Sequence, residues 1–293
     1  MLLSTVFPPM PTPFTPDGAV DENAIKSNIR QWIDAGLGGI VALGTNGEAA
    51  LLDEDESDRV VAAARESVPR DRVLIAGVGR ESTAATVAAA RRASALGADA
   101  VLVRPPSLYR SSIGAGALEQ HYRTIADESP APVLLYNYPA FFGTALHPAL
   151  IGTLARHPNV IGMKETSTDG GQFADVAAAV PESFTILAGS APGLYPALCA
   201  GARGAILAVA CVAPAVCLHV LACTRDGRHD EALRLQQRLN PLARAVTSGY
   251  GIAGLKAAME LVGYVGGDTR RPLPAVSSEG VEQIRQLLQS VQD

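Results

Sequence analysis

Lysine is scarce in this chain of 293 residues: of its 24 basic residues only Lys26, Lys164 and Lys256 are lysines. Charge as a whole is sparse, at 18% of residues, and sums to −5 at neutral pH. Nothing in that balance could neutralise phosphates in bulk, which excludes a nucleic-acid partner. Cysteine is limited to Cys199, Cys211, Cys217 and Cys223, all in one stretch and without a CxxC pair. That is no secreted disulfide framework, so reduced thiols in a cytoplasmic protein are expected. The opening MLLSTVFPPMPTPF lacks a basic region and a long apolar run, and is not read as a signal peptide. Residues 204–223 have the length of a membrane span, but Pro214 and His219 interrupt them and no basic flank orients them. A buried strand, a turn and a buried helix are expected there, with no membrane partner. The five histidines (His121, His147, His157, His219 and His229) show no ligand spacing among themselves, so no metal site is expected.

What the chain does have is 48% apolar residues, cut into short runs. These are STVF (4–7), GGIVAL (38–43), VLIAGV (73–78), AVLV (100–103), VLLY (133–136), VIGM (160–163), TILAG (185–189) and GAILA (204–208). They are apolar throughout instead of alternating, as strands of a parallel sheet are when both faces are covered. Helical segments are predicted between them over 21–35, 53–68, 82–96, 117–128, 148–156, 171–179, 192–199 and 214–224. Asp21, Asp53, Ser82 and Pro148 open several of these as caps or first-turn prolines, and Gly36 and Gly97 close others. Eight strand-then-helix units are the count of a (β/α)8 TIM barrel. An open doubly wound sheet would need a glycine fingerprint after its first strand, and GVGRES at 77–82 is a poor and misplaced match. Three further helices, at 228–245, 251–262 and 278–292, read as a C-terminal helical appendix. The expected division is therefore a barrel over 1–224 and an extension over 225–293.

Active sites of such barrels lie at the C-terminal ends of the strands. That rule singles out Thr45 and Asn46 after strand two, Arg104 after strand four, Tyr136 on strand five, Lys164 on strand six, Gly189 and Ser190 after strand seven, and Ile206 on strand eight. Lys26 and Lys256 fall in helices among polar or small residues and are read as solvated or structural. A desolvated lysine at a barrel mouth can act as a neutral amine and attack a carbonyl. The competing reading of Lys164 is a buried ion pair with Glu165 or another carboxylate. Adjacent strands lie about 4.8 Å apart, so a phenol at position 136 and an amine at 164 can share a substrate atom. The plainer reading of Tyr136 is a core tyrosine. Thr45 and Asn46 offer a hydroxyl, an amide and backbone N–H groups to a carboxylate, or form a simple turn. Ser-His-Asp chemistry lacks its G-x-S-x-G elbow.

Taken together, GTNGE (44–48), YNYP (136–139), GMKET (162–166) and LAGS (187–190) resemble the dihydrodipicolinate synthase / N-acetylneuraminate lyase family of pyruvate-dependent class I aldolases. The likeness runs from PPMPTPF (8–14) to GYVGGDTRRPL (263–273). Within the family, RESTAATV, HPNVIGMK, LQQRLNPL and YGIAGLKAAME look closest to 4-hydroxy-2-oxoglutarate aldolase. The resemblance implies a homotetramer of barrels that uses no cofactor and takes a small-molecule substrate. It implies that Lys164 forms the imine with pyruvate, Tyr136 is the acid/base, and Thr45 and Asn46 hold the pyruvate carboxylate. It also implies that the Ile206 carbonyl orients tyrosine or substrate. Two positions depart from dihydrodipicolinate synthase itself. Phe141 stands where an arginine grips the aldehyde's carboxylate, and Leu108 stands where a tyrosine reaches the neighbouring subunit, with Tyr109 one residue later. Arg104, with Arg110 in reserve, is the candidate partner for a distal carboxylate, against a surface ion pair. Dihydrodipicolinate synthase activity itself, a sugar-acid lyase or dehydratase of the same family, and a non-catalytic 2-oxo-acid-binding barrel are the alternatives.

Overall fold

The computed structural model describes residues 3–292. All eight apolar runs form parallel strands: β1 (Val6–Phe7), β2 (Gly39–Ala42), β3 (Val73–Gly77), β4 (Ala100–Val103), β5 (Val133–Asn137), β6 (Val160–Glu165), β7 (Thr185–Ala188) and β8 (Gly204–Ile206). From β2 to β8 each strand pairs with its sequence neighbour, and β8 returns to pair with β1. Residues flanking β1 complete the circle against β2, where Val41 N–H donates to Pro8 O (3.1 Å) and Met10 N–H to Val41 O (2.9 Å). The result is a (β/α)8 TIM barrel.

Strand alternation sorts the apolar residues into two layers. Phe7, Val41, Ile75, Leu102, Leu134, Leu187 and Ile206 form one buried cluster inside the barrel. Their outward neighbours, such as Val6, Ile40, Leu74, Val101, Val133 and Met163, join a second cluster under the helices. Burying one such side chain is worth about 1.5–3 kcal/mol. The helices start where the caps predict. Asp21 accepts Ala24 N–H at 2.9 Å before Glu22–Asp34, and Ser82 accepts Ala85 N–H at 3.2 Å before Thr83–Ala95. Asp53 and Glu56 exchange side-chain-to-backbone bonds as a capping box before Glu54–Ser67.

The 204–223 segment resolves into β8, a 3₁₀ turn (Ala208–Cys211) and the helix Pro214–Arg225. No helix among the described residues is long and apolar enough to cross a membrane. The helices His229–Arg244, Gly251–Leu261 and Ser278–Gln292 follow, joined to the barrel's outer layer through Leu239, Leu255, Met259 and Ile284. A short helix, Pro139–Phe142, directly follows β5 and was not anticipated from the pattern of runs. It turns Phe142 back onto Tyr136, ring edge to face at 5.2 Å.

Candidate active site

Lys164 and Tyr136 are direct cross-strand partners in the β5–β6 register. Both are nearly fully buried. Period-two alternation turns both into the barrel, while Asn137 and Glu165, one residue on, face outward. The lysine Nζ donates to the Tyr136 hydroxyl at 3.1 Å, and that hydroxyl lies 3.3 Å from Thr45 Oγ1. Three polar groups from three strand ends thus form one line at the barrel mouth.

The pairing of Lys164 with Glu165 does not occur. The Glu165 carboxylate accepts Asn137 Nδ2–H (2.8 Å) and Ser167 N–H (2.9 Å), on the far side of the strand. Asn137 is held in turn by both backbone groups of Leu146. This closed network fixes the two strand ends that carry Tyr136 and Lys164. The other lysines are neutralised: Lys26 pairs with Glu66 at 2.5 Å and Lys256 with Glu48 at 2.6 Å. Among the described residues no carboxylate lies within ion-pair distance of Lys164.

The space beside the lysine is kept open by Gly189. A Cβ there would sit 2.6 Å from Thr166 Oγ1 and 3.0 Å from Lys164 Cε. The Thr166 hydroxyl is buried and has no hydrogen-bond partner among the described residues. It faces the same gap, and the sequence had not singled it out because it follows Glu165 with no pattern of its own. Ser190 is half-buried beside Gly189, and Ile206 is fully buried next to Phe7 of β1.

The loop after β2 is backbone under strain. Leu43 and Glu48 both hold φ of 55°, and they are the only non-glycine residues with positive φ among those described. Such a conformation costs of order 1–3 kcal/mol each and persists only where the surroundings enforce it. Between them Thr45–Gly47 makes one 3₁₀ turn. Gly47 and Glu48 N–H are spent inside it, on Gly44 O and Thr45 O. The N–H groups of Thr45 and Asn46 stand ahead of those internal bonds, where a helical turn offers donors to an anion. Gly77 makes the approach possible, since a Cβ there would strike Leu43 O at 2.0 Å.

A cavity of about 360 Å³ opens above Tyr136 and Thr45, with Phe141, Phe142, Arg80 and Arg104 on its wall. Neither guanidinium is free. Arg80 pairs with Glu54 at 3.0 Å and Arg104 with Glu81 at 2.8 Å, the latter also lying over the Phe142 ring. Burial alone would raise the Glu81 carboxyl, but the backbone N–H groups of Leu108 and Ser107 and the Arg104 guanidinium hold it down at about 2. Arg104 is therefore in the ion pair weighed against substrate binding, on the cavity wall rather than turned away from it. Leu108, Tyr109 and Phe141 are 70%, 67% and 61% exposed around the mouth. Within the chain Tyr109 does not reach Lys164.

On the metal question the structure adds a group that histidine spacing did not suggest. His219 and Cys223, one turn apart on Pro214–Arg225, approach Glu231, with the three ligand atoms within 4.8 Å of one another. Glu231 is already engaged by His219 (3.0 Å) and Arg228 (2.7 Å). The group belongs to the outer helices and not to the barrel mouth.

The family model of the dihydrodipicolinate synthetase family matches residues 2–291. A 4-hydroxy-tetrahydrodipicolinate synthase of Xanthomonas axonopodis is 34% identical over 95% of this chain and 91% of its own. A protein of Emericella nidulans named "Probable 4-hydroxy-2-oxoglutarate aldolase, mitochondrial" is 33% identical over 97% and 94%. Among solved structures, a dihydrodipicolinate synthase of Thermotoga maritima superposes with a TM-score of 0.95 at 27% identity, over 100% of this chain and 99% of that one. A prophage protein of E. coli K12, solved in complex with pyruvate, gives 0.92 at 29% identity, over 100% and 99%. With a barrel of this topology, a lysine–tyrosine–threonine line at its mouth and relatives matched end to end, the chain belongs to the dihydrodipicolinate synthetase family, a family of carbon–carbon lyases.

Proposed function

We propose that this chain is a class I aldolase that cleaves or forms a 2-oxo acid through an imine between Lys164 and the pyruvate carbon skeleton. The observation that carries the reading is the buried line from Lys164 Nζ through Tyr136 OH to Thr45 Oγ1, at 3.1 and 3.3 Å. The amine attacks the ketone carbon, and the phenol of Tyr136 gives its proton to the departing hydroxyl, so that water leaves and the imine forms. The phenolate then takes the proton of the 4-hydroxyl. The bond between carbons 3 and 4 breaks, its electrons pass into the imine, and an aldehyde departs. Protonation of the enamine and hydrolysis by one water return pyruvate and the free amine. The N–H groups and side chains of Thr45 and Asn46 hold the substrate carboxylate, with Gly189, Ser190 and Ile206 around the imine. The imine itself is the electron sink, and the mechanism calls for no cofactor.

For the second substrate, the leading reading is 4-hydroxy-2-oxoglutarate, whose distal carboxylate would meet Arg104. Phe141 speaks against a grip of the dihydrodipicolinate synthase kind. The pair between Arg104 and Glu81 and the aromatic wall of Phe141 and Phe142 favour a second reading, an acceptor less polar than glyoxylate. A coupled pyruvate-release screen over 4-hydroxy-2-oxo acids with carboxylate, alkyl or aryl ends tests both. Release from none of them contradicts the function. If Arg104 grips the carboxylate, Arg104→Ala lowers kcat/KM for 4-hydroxy-2-oxoglutarate by about 1.5–3 kcal/mol and spares the neutral substrates. Equal, small effects on both select the less polar acceptor. We also infer a homotetramer, supported by the exposed Leu108 and Tyr109 at the mouth. Light scattering of the purified chain should give four times the chain mass, and a monomer mass would reject it.

A further inference from the structure

Lys256, which reads as a structural lysine in the sequence, belongs to an ion pair buried on both sides. In the pair of Lys256 with Glu48 at 2.6 Å, the side chains are 1% and 0% exposed. Glu48 is the residue that closes the strained turn carrying Thr45 and Asn46. Its other oxygen accepts the Arg270 N–H at 2.8 Å. Lys256 also donates to Asp268 O at 2.7 Å and sits over the Phe14 ring. The Arg270 guanidinium also lies over that ring and fans out to Glu56 (2.6 and 2.7 Å), Leu51 O and Gly18 O. The turn is thus gripped at its far end by the Lys256 ammonium and the backbone N–H of Arg270, both from the C-terminal segment, while Thr12 Oγ1 fastens Gly47 O at 2.7 Å.

A buried ion pair is weak evidence for stability, because desolvation of both charges offsets most of their attraction. Burial indeed pulls the Lys256 ammonium below its ordinary range, and Glu48 opposes that. What such a pair does supply is direction: a carboxylate held from two sides fixes the backbone it hangs from. The backbone here is one that no L-residue adopts freely.

We propose that Lys256, acting through Glu48 with Arg270, is a positioning residue that holds the Thr45–Asn46 turn in its carboxylate-binding shape. The inference rests on the imine reading, in which that turn binds the pyruvate carboxylate, and it gives the C-terminal extension a part in the active site. The clamp touches neither Lys164 nor Tyr136, so it governs how tightly pyruvate is held and not how fast the held molecule reacts.

Two measurements on the full-length protein test it, using pyruvate as the probe. The first is the pyruvate concentration that half-saturates borohydride trapping, set against the maximal trapping rate. The second is hydrogen–deuterium exchange over residues 43–51 without substrate. Removing one partner alone leaves an uncompensated buried charge, so the informative variant is the double Glu48→Gln/Lys256→Met, which retains an acceptor for Arg270 N–H. Expected is a half-saturating concentration raised about 10–100-fold, as for a misplaced binding group, with the maximal rate within about threefold and faster exchange over 45–48. A folded double variant that keeps either the wild-type half-saturation or the wild-type exchange overturns the proposal, as does a loss confined to the maximal rate. Should the double variant not fold, Glu48→Asp, which keeps the charge and shortens the arm, must move both readouts in the same direction. A wild-type protein that pyruvate and borohydride do not label at all defeats the imine reading instead, and the exchange measurement still decides whether the turn is clamped.

Discussion

Tyr136 touches both of the groups that the proposed chemistry needs, the amine on one side and the threonine hydroxyl on the other. Tyr136→Phe keeps the ring against Phe142 and removes only that hydroxyl. Turnover should fall about 10²–10⁴-fold if the phenol carries the protons, while the amine still forms a trappable imine more slowly. Near wild-type turnover would make Tyr136 a packing residue. At this scale the sequence was informative where a residue type is rare and its place in the strand pattern unambiguous. Lys164 met both conditions. Lys256 is equally rare, but its partner Glu48 lies in another part of the chain, and no local spacing joins a helix to a loop across that distance. Thr166 and Asn137 were likewise illegible, because their roles depend on which way a strand end faces after register is set.

The segment after β4 shows how a single loop couples charge, burial and pH. Glu81 reaches across to Ser107 and Leu108 and to Arg104, and behind them His121 accepts or donates to Thr83 Oγ1 at 2.8 Å. Burial, and then the Arg104 charge, press the His121 imidazole from its ordinary 6.5 to about 4. The folded protein therefore keeps His121 neutral while the unfolded chain takes up a proton, and stability falls as pH drops from about 6.5 toward 4. Glu81 acts lower. Its stabilisation is complete above the ordinary 4.5 and is lost as pH falls toward about 2. Melting temperature should decline over the first window, and His121→Gln should flatten that decline without changing the second. An unaltered slope would remove His121 as the group responsible. Among the elements, helix starts were readable from Asp21, Asp53 and Ser82, because a cap is a local interaction. The 3₁₀ turns and the helix Pro139–Phe142 were not, since they exist only where strand ends and barrel mouth impose them.

Across the whole molecule, eight strand-then-helix units without a glycine fingerprint after the first strand point to a closed parallel sheet, and the strands fall where the apolar runs predict. The sequence pattern could not tell how the last helices serve the barrel. Ile252 and Leu273 reach the cavity wall, and Lys256 and Arg270 reach the turn behind Thr45. The proposed chemistry rests on one atom, the Nζ of Lys164, which has no carboxylate partner among the described residues, whereas Lys26 and Lys256 are both paired. Incubation with pyruvate and borohydride, followed by peptide mass spectrometry, tests it most directly. Expected are inactivation with one reduced adduct, on Lys164, and no label in a folded Lys164→Ala variant. An adduct on Lys26 or Lys256, or no adduct at all, would contradict it.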